Sequence, residues 1–504
     1  MRPLLLDFAA ALLLASSLGG CAVGPDYAKP DMALPSRWTQ ASADARGSSP
    51  VVSLDAWWRG FNDPLLDELM GEAVAGNADV ASAKAKIREA RATRREAEAG
   101  LGPSITGSAS ASETGPEAGI AGGATTATTA TGSSSSVSSP FQAGLDASWE
   151  LDLFGGKRRD AEAAVNGEEA AEEDLRSTLL TLVGDVGADY AEARGYQARV
   201  ALARRTLASQ RRTADLTHVK FDAGSASAAD AAKAEAQAGT TAADIPTYET
   251  GYAESVHRLS ILTGRAPGAL DDRMRAPRTI PTPGKPLPAG VPADLLSRRP
   301  DVRAAERRVA QATAKIGAAE AALYPDVSLT GSLSTTASRP GELLRASSVS
   351  WSWGPSVSVP IFDGGKLVAE RDATQAQRDE YLVAWRSSVL TAMEDVENAL
   401  VSLSQERLRA KQLGAAVDND RKAADLTRTQ YEAGKSSLLD VLDAERSLYS
   451  AEDSLIQSRI SLAKDYVALA KALGGGWDAP VDASRPEVAD ENMGPRLRSQ
   501  TATP

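Results

Sequence analysis

The chain repeats itself once, and that duplication limits what it can fold into. Residues 79–103 recur at 301–325: Asp79-Val80 answers to Asp301-Val302, and Leu101-Gly102-Pro103 to Leu323-Tyr324-Pro325. Phe154-Gly155-Gly156-Lys157 answers to Phe362-Asp363-Gly364-Gly365-Lys366. Beyond these the pairs keep one constant spacing: Asp185-Val186 with Asp395-Val396, Phe221–Gly224 with Tyr431–Gly434, Asp230 with Asp440, and Glu235 with Glu445. Copies this long and this diverged mark one duplicated structural unit, not a short-period solenoid. The first copy covers 64–265: a helix from 64 to about 101, strands 104–111 and 141–153, a long helix 157–220 and a return helix 227–263. The second covers 293–476: a helix to about 323, strands 326–334 and 349–361, a long helix 366–430 and a return helix 437–473. Pro103 and Pro325 close the opening helices, because proline cannot continue one.

The strands alternate strictly. From Phe141 to Leu153 the odd positions are Phe, Ala, Leu, Ala, Trp, Leu and Leu, with polar residues and a glycine between them. From Val349 to Ile361 the odd positions are Val, Trp, Trp, Pro, Val, Val and Ile. Ser350, Ser352, Gly354, Ser356 and Ser358 form the other face. Period two puts one face on apolar surroundings and the other on water. About ten such residues make a tilted membrane strand. Trp149, Trp351 and Trp353 fall on the apolar face, where an aromatic belt sits. An ordinary half-buried sandwich sheet is the competing reading. Four strands cannot close a barrel, and lipid forbids an open edge. Other copies must therefore lend strands; three copies give an even number in the known range, though two or four would also close.

The long helices hold about 65 residues each, roughly 95 Å at 1.5 Å per residue, which calls for coiled-coil packing. Apolar residues agree in frame between copies: Leu175 with Trp385, Leu179 with Val389, Val183 with Met393, Val186 with Val396, and Tyr190 with Leu400. Their spacing of three and four marks one buried stripe, which builds a wall and carries no chemistry. Residues 266–292 contain prolines 267, 277, 281, 283, 286, 288 and 292 and read as an extended connector across the outside of the helices. Residues 111–140 and 335–348 suit outward-facing loops, and 477–504 reads as a loose polar tail.

Residues 1–20 have the charge and apolar run of an export signal, too short for a membrane span. The sole cysteine, Cys21, follows Leu18-Gly19-Gly20, so no disulfide forms within one chain. The placement resembles a bacterial lipobox, with cleavage before Cys21 and acylation of the new N-terminus. Two or more hydrocarbon chains there would anchor the segment 21–63 stably. A chance cysteine after an ordinary signal is the competing reading. Ala22 follows, not the Asp that retains such lipoproteins in the inner membrane.

The net charge of -12 argues against nucleic acid as a partner. Catalysis finds little support: His218 and His257 are far apart and read as surface or interface residues. No metal-spaced His/Cys cluster and no phosphate-cradling glycine loop is present. The notable positions are the two turns joining long helix to return helix, Phe221–Asp230 and Tyr431–Asp440. Asp440 and Asp443 lie three apart and share a helix face, so copies of the chain would stack them into carboxylate rings that favour cations. Asp440 also suits a plain helix N-terminal acid.

Together these residues resemble the TolC-like outer-membrane efflux proteins, in the lipoprotein branch typified by OprM and NodT. The resemblance runs from Cys21 to about Trp477. It rests on Cys21-Ala22-Val23-Gly24-Pro25-Asp26-Tyr27, Trp57-Trp58 with Phe61-Asn62-Asp63-Pro64, Arg298-Arg299-Pro300-Asp301, Phe362-Asp363-Gly364-Gly365 and Leu439-Asp440-Val441-Leu442-Asp443. It implies a mainly α fold with a membrane β-barrel: a homotrimer with a twelve-stranded barrel above a long periplasmic α-helical barrel, which settles the copy number. It implies a passive exit duct without cofactor, carrying small molecules such as drugs from an inner-membrane pump of RND type through a periplasmic adaptor. Aspartates matching Asp440 and Asp443 line the family's periplasmic gate. A tyrosine matching Tyr431 and an aspartate matching Asp230 join the hydrogen bonds that close it. The tips at Gly224 and Gly434 would meet the adaptor. Where the prototype has a gate arginine, this chain has Ser436 beside Lys435, so the charge lock is weaker or differently placed. A protein-secretion duct is the runner-up on the same fold. A non-channel surface coiled-coil lipoprotein would explain the helices but not the four strands.

Overall fold

A computed structural model describes residues 22–39, 54–112, 141–283, 287, 291–477 and 481–484. The signal segment, Cys21, most of the 111–140 loop and the tail beyond 484 lie outside the described residues. The chain runs α1 (Pro64–Gly76), α2 (Ala78–Ala99), β1 (Ser104–Ala111), β2 (Phe141–Glu150), α3 (Gly156–Asp222) and α4 (Ala228–Leu262). The second copy gives α5 (Pro300–Ala321), β3 (Asp326–Ala337), β4 (Val349–Ser358), α6 (Lys366–Glu432) and α7 (Leu438–Ala472). Among the described residues, no helix is long and apolar enough to cross a membrane.

The opening helix expected over 64–101 is two helices. Asn77 breaks it: its side-chain oxygen accepts from the N–H groups of Asp79 (2.8 Å) and Val80 (3.2 Å), which starts α2 afresh. Two strands also end before their alternation does. Asp152 accepts from the N–H groups of Lys157 (3.1 Å) and Arg158 (3.0 Å), so the chain after Glu150 caps α3 instead of extending β2. Asp363 does the same for α6, accepting from Gly365 (2.9 Å) and Leu367 (2.8 Å). β3 runs three residues beyond the expected end, to Ala337.

The chain forms two compact units. The first combines described parts of Met1–Lys29 with Ala90–Glu168 and Arg308–Tyr381. It holds one antiparallel sheet in the order β1-β2-β3-β4. Register places Leu145 opposite Leu333, which lies opposite Trp351, and Trp149 opposite Leu329. That face is exposed in the single chain: Trp351 by 71%, Trp353 by 69% and Trp149 by 37%. On the alternate positions Ser332 meets Ser352 (2.8 Å) and Ser334 meets Ser350 (2.9 Å), hydroxyl to hydroxyl. Among the described residues, the outer edges of β1 and β4 have no strand partner.

At the corner between β2 and α3 the N-terminal segment is strapped down. The Val23 N–H donates to the Phe154 carbonyl (3.0 Å), and Phe154 stacks on Tyr324 with ring centroids 4.8 Å apart. The buried Arg159 donates to the Val23 carbonyl (3.4 Å), Asp26 (2.6 Å) and Glu162 (2.8 Å). Gly24 lies so close to Gly317 that a Cβ on Gly24 would fall 2.5 Å from the Gly317 Cα. A cleft of about 470 Å³ at this corner is lined by Glu150, Asp152, Phe154, Lys157, Tyr324 and Asp326, among others.

The second unit combines Pro30–Glu89, Glu169–Arg307 and the chain from Leu382 onward. Its helices bury most of the expected stripe: Leu179, Val183, Val186 and Tyr190 from α3, and Trp385, Val389 and Val396 from α6, are each at most 2% exposed, while Met393 and Leu400 are half-buried. Trp57, Phe61 and Tyr466 pack edge to face or tilted beside them. The proline-rich segment is not simply extended over the outside. It contains a helical turn, Asp271–Met274, with Leu270 and Met274 fully buried. The fully buried Arg194 holds the carbonyls of Met274 (3.1 Å) and Ala276 (3.0 Å). The start of the tail is held too, with Trp477 under the guanidinium groups of Arg176 and Arg303 at 5.4 and 5.7 Å.

Candidate gate at the paired helical turns

Both long helices stop by the same device. Gly224 and Gly434 take positive φ, 74° and 70°. Gly224 N–H donates to the Phe221 carbonyl and Ser225 N–H to that of Lys220, both at 2.8 Å. Gly434 N–H donates to Tyr431 (3.0 Å) and Lys435 N–H to Gln430 (2.8 Å). This double closure satisfies carbonyls that a helix end leaves open, and it needs a left-handed residue. Nothing lies within 4 Å of a Cβ added to either glycine, so backbone conformation alone selects glycine here.

Both return helices then begin alike. Ser227 Oγ accepts from the Asp230 N–H (3.1 Å), while the Asp230 carboxylate accepts from the Ser227 N–H (3.2 Å) and hydroxyl (2.8 Å). At the second turn the Asp440 carboxylate accepts from the Ser437 hydroxyl (2.7 Å) and N–H (3.0 Å) and from the Ser436 hydroxyl (3.1 Å). These are capping boxes with Asp at the third position. The hydrogen bonds from Ser227 hold the Asp230 carboxyl below the usual range, and those from Ser437, then Ser436, do the same for Asp440. Asp443 is exposed one turn further on and accepts from Arg446 at 2.7 Å.

Tyr431 is buried among Ala214, Ala234, Leu438, Val441 and Leu442. Its hydroxyl lies 3.2 Å from that of Thr217. The Lys220 ammonium sits 3.5 Å from the ring centroid and donates to the Tyr431 carbonyl (2.8 Å). Tyr431 and Asp230 share no hydrogen bond in the single chain: the aspartate's bonds go to Ser227.

Sequence reasoning missed the most buried charge near these turns. Glu445, 4% exposed, accepts from Arg428 (2.7 Å), Thr213 (3.1 Å) and Ser209 (3.5 Å). It therefore ties α7 to α6 and α3 at one point, while its second oxygen is buried without a partner. Along the sequence Glu445 is one carboxylate among many, and its partners on α3 are more than two hundred residues away. The agreement of Glu445 with Glu235 was the available signal. Of the two histidines, His218 meets Glu235 at 2.6 Å on the surface. Among the described residues, no group of three or more His, Cys, Asp or Glu is placed to hold a metal.

A duplicated helical unit carrying an edge-open, tryptophan-faced sheet defines the class of outer-membrane channels. Residues 69–265 and 291–475 match the family described as outer membrane efflux protein, and the chain belongs to it. It is 35% identical over 461 residues to Nodulation protein T of Rhizobium leguminosarum bv. trifolii, covering 92% of this chain and 96% of that protein. It is 32% identical to the pyoverdine export outer membrane protein OpmQ of Pseudomonas aeruginosa, over 92% of this chain and 95% of the relative. Among solved structures it matches the outer-membrane channel OprN with a TM-score of 0.82 and 36% identity, covering 91% of this chain and all of that one. The fold is that of these channels, and the chain is the outer-membrane channel component of an efflux system.

Proposed function

We propose that three copies of the chain close one twelve-stranded barrel and act as a passive exit duct. Small molecules such as drugs or other toxic compounds would pass through it, delivered by an RND-type pump and a periplasmic adaptor, with no catalysis in the channel itself. The observation that carries this reading is the sheet, whose β1 and β4 edges are unpaired among the described residues and whose tryptophan face is exposed. In lipid both must be covered, the edges by neighbouring strands and the face by acyl chains. Cys21 would be acylated in the outer membrane, and the strap from Ala22 to Asp26 ties the residues after it to the β2–α3 corner.

The paired turns would form the periplasmic gate and meet the adaptor at Gly224 and Gly434. Their capping boxes give Asp230 and Asp440 a local task as well. Asp443 is then the freer carboxylate for a cation-selecting ring. Light scattering on the detergent-solubilised protein, followed by bilayer recording, tests the reading. The expected result is a particle of three chain masses that conducts and prefers cations, with the preference reduced in Asp443→Asn. A monomeric particle without conductance refutes it.

A further inference from the structure

The duplication places a second acid–base pair where the buried one stands. Asp230 pairs with Asp440 and Glu235 with Glu445 between the copies, and the same frame sets His218 against Arg428. Both pairs are formed: Arg428 to Glu445 at 2.7 Å, and His218 Nε2 to Glu235 at 2.6 Å. Each joins the end of a long helix to the start of its return helix across the turn. Their surroundings differ. The Arg428–Glu445 pair is buried on its acid side and roofed by Ser209 and Thr213. His218 and Glu235 are 47% and 62% exposed.

We propose that the His218–Glu235 pair is a proton-dependent clasp on the α3–α4 turn, the titratable counterpart of the permanent Arg428–Glu445 clasp on the α6–α7 turn. Arginine stays charged at any physiological pH, whereas histidine ordinarily changes charge between pH 5 and 8. The charged group meeting the ring from α4 is Glu235. On α3 itself, Asp215 and Asp222 stand one turn before and one turn after it, and Arg211 stands two turns before. Neutral histidine can still donate one hydrogen bond, so raising the pH weakens the clasp without removing it. The clasp is therefore strongest at mildly acidic pH and loosens as pH rises through the histidine range. An exposed pair of this kind shifts the turn's opening equilibrium by roughly two- to fivefold per chain.

The inference rests on reading these turns as the closing end of the channel. The test is bilayer conductance of the full trimer between about pH 7.5 and about pH 5.5, the window in which histidine titrates. The parent is expected to conduct at least about twofold less at the acidic end. His218→Arg should sit at the low value throughout, His218→Gln at the high value, and His257→Gln should keep the parent profile. A flat parent profile, or a slope that survives in His218→Arg, overturns the clasp. If no variant conducts at any pH, the channel reading fails separately. Hydrogen exchange of the amides of residues 223–227, corrected for intrinsic rates, then still scores the clasp. It should be roughly two- to fivefold slower in His218→Arg than in His218→Gln at neutral pH, and equal rates overturn it.

Discussion

The Arg428–Glu445 pair allows a prediction in which the two halves of one ion pair are unequal. Glu445 is almost wholly buried, whereas the Arg428 side chain is a third exposed. Replacing Arg428 with Met strands a buried carboxylate that retains only the Thr213 and Ser209 hydroxyls. An uncompensated buried charge of this kind costs about 3–5 kcal/mol. Replacing Glu445 with Gln instead leaves a guanidinium that can turn to water and still bond Ser209. That should cost about 1–2 kcal/mol. The gap of about 2 kcal/mol corresponds to roughly thirtyfold in the local opening equilibrium. Hydrogen exchange at the Val441 and Leu442 amides of the assembled protein reads this directly, because protection there follows local opening. The double variant Arg428→Met with Glu445→Leu removes both charges and should recover most of the lost protection. Equal losses in the two single variants, or a larger loss for Glu445→Gln, would show that burial of the carboxylate is not what makes this point stable.

Two further outcomes follow from groups elsewhere in the chain. Burial raises the Asp189 carboxyl to about 6, against the partial relief given by Arg258. Its folded value lies above the unfolded one, so ionising it opposes folding: stability from this group is present at low pH and declines as pH rises from about 4 to about 6. Asp189→Asn should therefore flatten that limb of a melting-temperature profile and stabilise at pH 7 by on the order of 1 kcal/mol, allowing for partial exposure. An unchanged profile would mean that water reaches the group freely. At the strap, a Cβ on Gly317 would lie 2.8 Å from the Arg159 Cγ. Gly317→Leu should displace Arg159 at a cost of about 1–3 kcal/mol and make the segment 22–39 more readily cleaved by added protease; equal cleavage would show that the glycine contact does not hold the strap.

Much of the fold was legible because two periodicities were undisturbed. Strict alternation marked the strands through Trp149, Trp351 and Trp353, and the stripe from Leu175 to Tyr190, repeated from Trp385 to Leu400, marked the long helices. What alternation could not show is where a polar residue stops extending a strand and starts capping a helix. Asp152 fits the alternating pattern of 141–153 and Asp363 follows two residues after that of 349–361, yet both are occupied in capping α3 and α6. Asn77 likewise sits within a helical pattern and splits it. At the turns, Gly224, Gly434 and the helix-starting acid Asp440 follow from local chemistry, so sequence located them, whereas the serine partners of Asp230 and Asp440 emerged only with the structure. The partners of Tyr431 and Glu445 come from α3, far along the chain, and only packing brings Thr217, Thr213 and Ser209 to them.

The two copies have kept equal measure as well as similar motifs. α3 and α6 each have 67 residues, α4 and α7 each 35, and α2 and α5 each 22. Loss of one residue from α3 alone would turn everything beyond it by about 100° and draw its end back by about 1.5 Å relative to α6. Thr213 and Thr217 would then leave Glu445 and Tyr431 at once. Length has thus become a shared standard that neither copy can abandon singly. Growth is left to the links between strands, and there the copies do differ: Ala111 to Phe141 is a far longer path than Ala337 to Val349.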